Sequence, residues 1–235
     1  RDVAAIEHYR QALSLGEQNL GPDHPEVAYT LDLLAGVPSV AADFATASEL
    51  MNRALEIRRK RHGSDSPITA LTLFSLGSLH LNAGDLEKAQ ELLTASLEVF
   101  EKELGPHHRY TARALYRLGE VALQSGDREK AMLHAQKEAE ALLSVSEEIY
   151  SFASERQRLA YSRQLEPYNL FAELGSAHHL ATAVLRYKGS VLDSIMEDLA
   201  LARLRGDPSQ QARIEELRSA RAELAATLKK RDEAA

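Results

Sequence analysis

Residues 66–105 read SPITALTLFSLGSLHLNAGDLEKAQELLTASLEVFEKELG, and this stretch decides the fold. Ser66-Pro67 is a helix start, because a serine hydroxyl can cap free backbone N–H groups and proline is accepted at the first helical position. Gly84-Asp85 separates two helices, since glycine adopts the left-handed conformation that ends one helix and aspartate caps the next. The second helix carries apolar residues three and four apart and ends at Gly105. The stretch therefore predicts a helical hairpin.

The pattern of this hairpin recurs every 42 residues through the first 140 residues. The positions that keep the period are glycine at 21, 63 and 105; leucine at 13, 55 and 97, at 31, 73 and 115, and at 34, 76 and 118; alanine at 28, 70 and 112, and at 5, 47, 89 and 131; and aspartate at 43, 85 and 127. A period in this range indicates a stacked array of helices. Such arrays usually bind proteins or peptides and rarely perform chemistry.

Small residues at two positions of the hairpin, Gly77 and Ala89, are expected to let its helices approach closely. A break in the pattern occurs at Gly36-Val37-Pro38, where proline removes a backbone donor and clashes with the preceding turn. We expect a shortened or bent helix at that point. Residues 1–20 contribute the second helix of a further repeat, through Ala5, Tyr9 and Ala12.

Composition excludes several classes of function. The chain has no cysteine, which rules out disulfides and a cysteine nucleophile within it and fits a reducing compartment, so we expect a cytoplasmic protein. No apolar run approaches the roughly 20 residues that span a bilayer, and no signal peptide opens the chain. The sequence begins in mid-pattern and not at a methionine, which we interpret as a piece of a longer protein.

Charge is unevenly distributed along the chain, whose net charge is −7. Residues 1–150 hold 15 Lys and Arg against 23 Asp and Glu, and residues 151–235 hold 13 against 12. An acidic array is a poor candidate for nucleic-acid binding, because basic residues supply most of the affinity for the phosphate backbone. Its field favours basic partners instead.

The hairpins resemble the tetratricopeptide repeat (TPR) through the spacing of their large and small residues. The matching residues are Leu73, Leu76, Gly77, His80, Ala89, Leu93 and Ser96; then Leu115, Leu118, Gly119, Ala122 and Ala131; and Leu31, Leu34, Ala35, Ala47, Met51 and Ala54. The 42-residue period and the string LGPDHP at 20–25 are similar to the kinesin-light-chain class. That class has an asparagine where this chain has Leu33, Ser75 and Arg117, so its binding residues do not transfer.

The resemblance implies an all-α fold: a right-handed α-α superhelix of about three and a half repeats over residues 1–150, followed by longer packed helices over 151–235. In the later region we expect helices from about 151, over about 176–205 and over about 209–231. The strings SFASERQRLAY at 151–161 and VLRYKGSVLDS at 184–194 resemble the linker of bacterial CHAT-domain proteins. Those proteins join TPR repeats to a caspase-like peptidase, so the parent protein is expected to continue into one.

Three features could be taken for catalytic or ligand sites, and each has a simpler interpretation. The pairs His107-His108 and His178-His179 do not have the spacing of three or four that a metal site on a helix needs, so we expect no metal. No nucleophile motif or phosphate loop is present, so we expect neither catalytic residues nor a cofactor. The basic run Arg58-Arg59-Lys60-Arg61 is expected to be a solvated helix end.

The remaining candidate is the concave face that the first helix of each repeat lines in this family. By resemblance its outward residues are Tyr29 and Asp32; Leu71, Phe74, Ser78 and Leu81; and Arg113, Tyr116 and Glu120. Exposed aromatic residues beside arginine are typical of an interaction surface. The alternative is that the C-terminal helices fold back and bury these residues. We therefore predict a regulatory scaffold that binds a protein or peptide, not nucleic acid or membrane; the alternative function is self-association into a homo-oligomer.

Overall fold

The computed structural model describes residues 2–152, 170–171, 174–175 and 184. The chain divides into two compact units, Arg1–Asp127 and Arg128–Ala235. The first unit contains α1 (Asp2–Leu20), α2 (Pro25–Ala35), α3 (Pro38–Ala41), α4 (Phe44–His62), α5 (Pro67–Asn82), α6 (Leu86–Leu104) and α7 (Arg109–Gln124). The second unit begins with α8 (Arg128–Phe152). Among the described residues every regular element is helical, which confirms the all-α class.

The helices follow the predicted hairpin register. First helices α5 and α7 each have 16 residues, and second helices α4 and α6 each have 19. Glycines with positive φ end the second helices at Gly63 and Gly105, and Gly84 separates α5 from α6 in the same conformation. Residues with a side chain rarely adopt this conformation, which explains why the glycines keep the period.

The first repeat departs from this pattern where proline predicted a defect. α2 has only 11 residues and ends at Ala35, and the four-residue α3 begins at Pro38 as its first helical position. The shortened helix is therefore confirmed. Val37 and Val40 are buried with Leu34, so the interrupted turn still contributes to the core.

Helix caps combine predicted and unpredicted side chains. Asp43 and Asp85 cap α4 and α6 by accepting hydrogen bonds from the backbone N–H of Thr46 and Lys88. At the start of α5 the prediction was wrong in one respect: Ser66 is the N-cap residue, but its hydroxyl makes no capping hydrogen bond.

The equivalent residues one repeat before and after Ser66 are histidines that do cap. His24 Nδ1 accepts from Glu26 N–H at 3.2 Å, and His108 Nδ1 accepts from Tyr110 N–H at 3.1 Å. The cap position is thus conserved in geometry across the repeats of this chain, although its side chain changes. His108, one member of an adjacent histidine pair, therefore has a structural role as a helix cap.

The core of the first unit is built where the register places small residues. Ala28, Ala70 and Ala112 on the first helices, and Ala47 and Ala89 on the second, are each at most 1% exposed. A side chain of this size leaves room for close approach of neighbouring helices.

Within the second hairpin, Gly77 of α5 lies very close to Leu93 of α6. A Cβ atom added at Gly77 would lie 2.7 Å from Leu93 Cγ and 3.2 Å from the Leu93 backbone nitrogen. Ala89 is fully buried nearby in sequence, but Leu93 is the residue that requires glycine. In the first repeat the same register positions hold Ala35 and Met51, which share one hydrophobic cluster.

Adjacent repeats are joined by contacts that recur at the same 42-residue step. Thr69 Oγ1 donates to the Gly63 carbonyl at 2.8 Å, and Thr111 Oγ1 donates to the Gly105 carbonyl at 2.8 Å. Ion pairs repeat likewise: Lys60 contacts Asp23 at 3.2 Å, and Lys102 contacts Asp65 at 2.7 Å. The exposed ion pairs add little stability, whereas the threonine hydrogen bonds anchor each turn to the helix that follows it.

The described part of the second unit is α8 and a few residues after it. Ala131, Ala135 and Ala139 lie buried along α8, and Leu170, Phe171 and Leu174 are also buried. Arg128 donates a hydrogen bond to the Leu174 carbonyl. The helices predicted over 176–205 and 209–231 lie outside the described residues, and the domain boundary near 150 stays a prediction.

Replacing Gly77 by alanine is expected to lower the free energy of unfolding by about 1–3 kcal/mol, because the new methyl group overpacks against Leu93. Adding Leu93→Met should recover most of the loss, since this pair copies Ala35 and Met51 and methionine adapts to irregular space. Urea denaturation of the two variants and of Leu93→Met alone provides the measurement. Equal or higher stability of Gly77→Ala would show that helix propensity, and not the contact, dominates at this position.

Acid should weaken the hairpin partly through Asp85. Its pKa is lowered by the hydrogen bond with His80 at 2.9 Å and by the Lys88 N–H. A lowered folded-state pKa gives stability that is present above the unfolded value of about 3.9 and is lost as pH falls through the folded value. Asp85→Asn keeps a capping oxygen and removes the charge, so its melting temperature should fall less than that of the wild type between pH 5 and pH 3. Glu98→Gln, an exposed change in the same helix, is the control and should follow the wild-type curve.

Candidate protein-binding groove

The predicted groove residues all lie on the first helices of the three repeats. Tyr29 and Asp32 are on α2; Leu71, Phe74, Ser78 and Leu81 are on α5; Arg113, Tyr116 and Glu120 are on α7. Tyr29 is 55% exposed and Arg113 is also exposed, whereas Asp32, Leu71, Ser78, Tyr116 and Glu120 are half-buried. We call this set the groove residues. Whether they bind a partner stays a prediction.

Two of the groove residues are not outward-facing, which corrects the expectation from sequence. Phe74 is 9% exposed and Leu81 is 3% exposed, and both belong to one hydrophobic cluster, with Leu93, Phe100 and Leu118. The cluster combines residues of α5, α6 and α7, so the neighbouring repeat covers these side chains. Their truncation would damage the core as well as any surface.

Arg113 covers the outer side of Phe74. Its guanidinium carbon lies 5.1 Å from the centre of the phenyl ring, within the range of a cation–π contact. This contact holds an exposed positive group above an apolar base. One helical turn further, Arg117 forms an ion pair with Glu120 at 2.8 Å, so the Glu120 carboxylate already has a partner.

The junction between the first two repeats contains a buried arginine that the sequence did not single out as a contact. Arg58 of α4 is 7% exposed, forms an ion pair with Asp32 of α2, and donates a hydrogen bond to Thr72 Oγ1 of α5. One guanidinium group thus joins a second helix to the first helices of two adjacent repeats. We call Asp32, Arg58 and Thr72 the polar junction.

Two further residues of the basic run also make structural contacts. Lys60 pairs with Asp23, and Arg61 Nε donates to the Asp23 carbonyl at 3.2 Å. The expectation that residues 58–61 form a solvated helix end was therefore wrong for Arg58. Arg58, Lys60 and Arg61, near the C-terminal end of α4, therefore use their charge in contacts with neighbouring parts of the first two repeats.

The carboxyl group of Asp32 is incompletely compensated. Burial raises its pKa, and the charge and hydrogen bond of Arg58 only partly oppose this effect. Asp32 Oδ1 is buried and makes no hydrogen bond in the part of the chain that the structure describes, and the same is true of Ser78 Oγ. Buried polar atoms without a partner are uncommon and costly. Both atoms belong to groove residues.

The next junction along the array uses the same positions with apolar residues. One period after Asp32, Arg58 and Thr72 the chain has Phe74, Phe100 and Ala114, all in one hydrophobic cluster. Phe100 is fully buried and stacks on Tyr110, with ring centroids 5.6 Å apart. The residues at equivalent positions are therefore polar and charged at the first junction and apolar at the second.

Other sites found in the sequence have no support in the described residues. Among them no group of three metal-ligating side chains occurs, and His178-His179 lies outside them. A search of the same residues finds no helix that is both long and apolar enough to cross a membrane.

The helical hairpins, their register and their exposed first-helix face define a helical-repeat scaffold of the protein-interaction class. The family model for the tetratricopeptide repeat matches residues 3–60, 40–94 and 69–144. Together these matches cover more than half of the chain, and the chain belongs to the tetratricopeptide repeat family. A search of curated proteins gives no significant match.

Solved structures show the same fold at low sequence identity. BtubC (BKLC) from P. vanneervenii has a TM-score of 0.57 at 18% identity, over 93% of this chain and 74% of its own. A kinesin-light-chain-type protein of Podosopora anserina with nearly identical TPR-like repeats has a TM-score of 0.55 at 15% identity, over 97% and 89%. The apo form of RapI has a TM-score of 0.52 at 18% identity, over 97% and 78%. These similarities support the repeat fold.

Arg58→Ala is expected to lower the free energy of unfolding by about 3 kcal/mol, because removing one partner leaves a buried charge uncompensated. The expected loss of unfolding free energy is at the lower end of what breaking a buried ion pair costs, because the Asp32 side chain is 27% exposed and water partly screens its charge. The triple variant Asp32→Phe, Arg58→Phe, Thr72→Ala copies the apolar junction and should be at least as stable as the wild type. Urea denaturation measures the stability of both variants. Wild-type stability of Arg58→Ala would mean that the polar junction does not hold the repeats together.

Proposed function

We propose that the first-helix face of the three repeats binds an extended peptide or a segment of a partner protein. The observation that supports this most is Arg113, whose exposed guanidinium is held on the face of Phe74 and forms no ion pair with a described residue. Leu71 and Tyr116 are half-buried beside it in the register, and Tyr29 is exposed on the first repeat. Aromatic and arginine side chains of this kind carry much of the energy of protein interfaces.

We also propose that the array is the regulatory part of a bacterial TPR–CHAT protein. The support is the resemblance of the strings at 151–161 and 184–194 to the segment that precedes a caspase-like peptidase in those proteins. In this proposal residues 151–235 couple groove binding to the peptidase, and a cytoplasmic location stays a prediction from the cysteine-free sequence. Sequencing the parent gene downstream of codon 235 is the test: a His/Cys peptidase domain supports the proposal, and any other continuation overturns it.

Self-association is the second candidate, and α1 is the observation that favours it. α1 has no buried residue and exposes Val3, Leu15 and Leu20 to solvent. Apolar side chains on one exposed helix are able to form an interface between copies. Light scattering over a concentration series separates the candidates, because a monomer at the highest concentration removes this one.

Groove binding is tested with peptides selected from a random 12-residue phage library on the immobilised wild-type chain. Leu71→Ser and Arg113→Gln should each weaken the selected peptides by roughly tenfold or more in fluorescence polarisation, because they remove an apolar and a charged contact. Leu15→Ser on α1 makes the same replacement of an apolar by a polar side chain outside the groove and should leave the peptide affinity unchanged. Circular dichroism confirms that each variant keeps its helices. Peptides that bind all three variants equally would place the binding surface elsewhere.

A further inference from the structure

The carboxylate of Asp32 stands out among the groove residues because the structure gives it less compensation than its burial requires. One oxygen faces Arg58, while Oδ1 is buried and accepts no hydrogen bond among the described residues. An ionised group removed from water needs paired charge and hydrogen bonds to offset the lost hydration. Thr72 does not supply this, since its hydroxyl accepts from Arg58 and does not reach Asp32 as a donor in the structure.

The Asp32 side chain as a whole is nevertheless partly exposed to solvent. It is 27% exposed, whereas Arg58 behind it is 8% exposed. A cation that arrives from solvent therefore meets the carboxylate before it meets the guanidinium. Oδ1 itself has almost no accessible surface, so a positive group from solvent would lie at the exposed part of the side chain and would stabilise the carboxylate charge through space, opposing the burial that raises the pKa of Asp32.

Tyr29 lies beside this carboxylate on the same helix. Residues three apart on a helix are neighbours on its surface, and Tyr29 is 55% exposed. The face of a tyrosine ring attracts ammonium and guanidinium groups within about 6 Å. An exposed tyrosine ring beside a carboxylate offers the chemistry that recognises lysine or arginine side chains.

The same two register positions in the later repeats lack this chemistry. Asp32 is replaced by Phe74 and Tyr116, and Tyr29 is replaced by Leu71 and Arg113. A positively charged side chain of a ligand is thus attracted at these positions of the first repeat, is neither attracted nor repelled by Leu71 in the second, and is repelled by Arg113 in the third. The excess of 23 acidic over 15 basic residues in the first 150 adds a general attraction for basic partners, but it does not choose a repeat.

We propose that Asp32, with Tyr29, is the subsite that receives a lysine or arginine side chain of the segment bound in the groove. The inference rests on the proposed groove function and adds to it the chemistry and the place of one specificity contact. Arg58 is the positioning residue of this subsite, because its contacts with Asp32 and Thr72 hold the carboxylate at the junction of α2 and α5. Leu71 and Arg113 then meet the apolar and acidic parts of the same segment.

The test uses peptides from the random 12-residue library that bind the wild-type chain and bind the Leu71→Ser variant more weakly. Each lysine or arginine in such a peptide is replaced in turn by norleucine, which keeps the apolar stem and removes the charge. At one position the replacement should weaken binding to the wild type by roughly tenfold. The same replacement should change affinity for Asp32→Asn by less than roughly twofold, and Glu56→Gln on α4 should behave as the wild type.

Folding is controlled by a second variant. If Asp32→Asn loses helicity, the triple variant Asp32→Phe, Arg58→Phe, Thr72→Ala removes the carboxylate within an apolar junction, and it should also be insensitive to the norleucine change. Raising the salt concentration should reduce the wild-type preference for the basic peptide, because the subsite is partly exposed.

The outcomes separate this inference from the proposed function. One outcome is that peptides depend on Leu71 yet lose as much affinity on norleucine replacement for Asp32→Asn as for the wild type. That result overturns the subsite and leaves the groove function intact. Selected peptides without any lysine or arginine overturn it as well. If no library peptide depends on Leu71 or Arg113, the groove function itself is wrong, and the subsite fails with it.

Discussion

The structure depends on how closely the two helices of each repeat approach. Gly77 lies so near Leu93 that a single methyl group would contact the backbone of the partner helix, and the same register position holds the buried Ala35 in the first repeat and the buried Gly119 in the third. Because protein interiors are packed like organic crystals, this distance tolerates little change. The close approach sets where the first helix of each repeat lies, and so which of its side chains reach solvent.

The junctions between repeats decide the chemistry of the exposed face. The first junction holds the buried Arg58 between Asp32 and Thr72, and the second holds Phe74 and Phe100 at equivalent positions. A buried ion pair is seldom the more stable choice when apolar residues of similar volume also fit. The next junction of the same chain has apolar residues at the equivalent positions, and in our proposal the polar junction holds Asp32 as a subsite of the groove.

Much of the fold was predictable because it follows from local rules. Helix starts and ends, the shortened helix at Pro38 and the family were all readable from glycine, proline and aspartate at a fixed period. The exposure of groove residues was not, since Phe74 and Leu81 are covered by side chains from α6 and α7 that lie far away in sequence. The prediction of a capping hydrogen bond at Ser66 was wrong because a serine at the N-cap position can accept such a bond but need not orient its hydroxyl to do so.

The sequence by itself determined the repeat, its period and the family, because backbone conformation and small-residue packing depend on residues that are near one another along the chain. Only the tertiary structure decided that Arg58 is buried and paired with Asp32, and that Arg113 lies over Phe74. The run of four basic residues does not by itself show which one points inward, although the 42-residue register aligns Arg58 with the apolar Phe100; whether the space is filled by an ion pair depends on the next repeat. Burial and charge compensation are properties of several helices at once, and they appear only when the repeats are stacked.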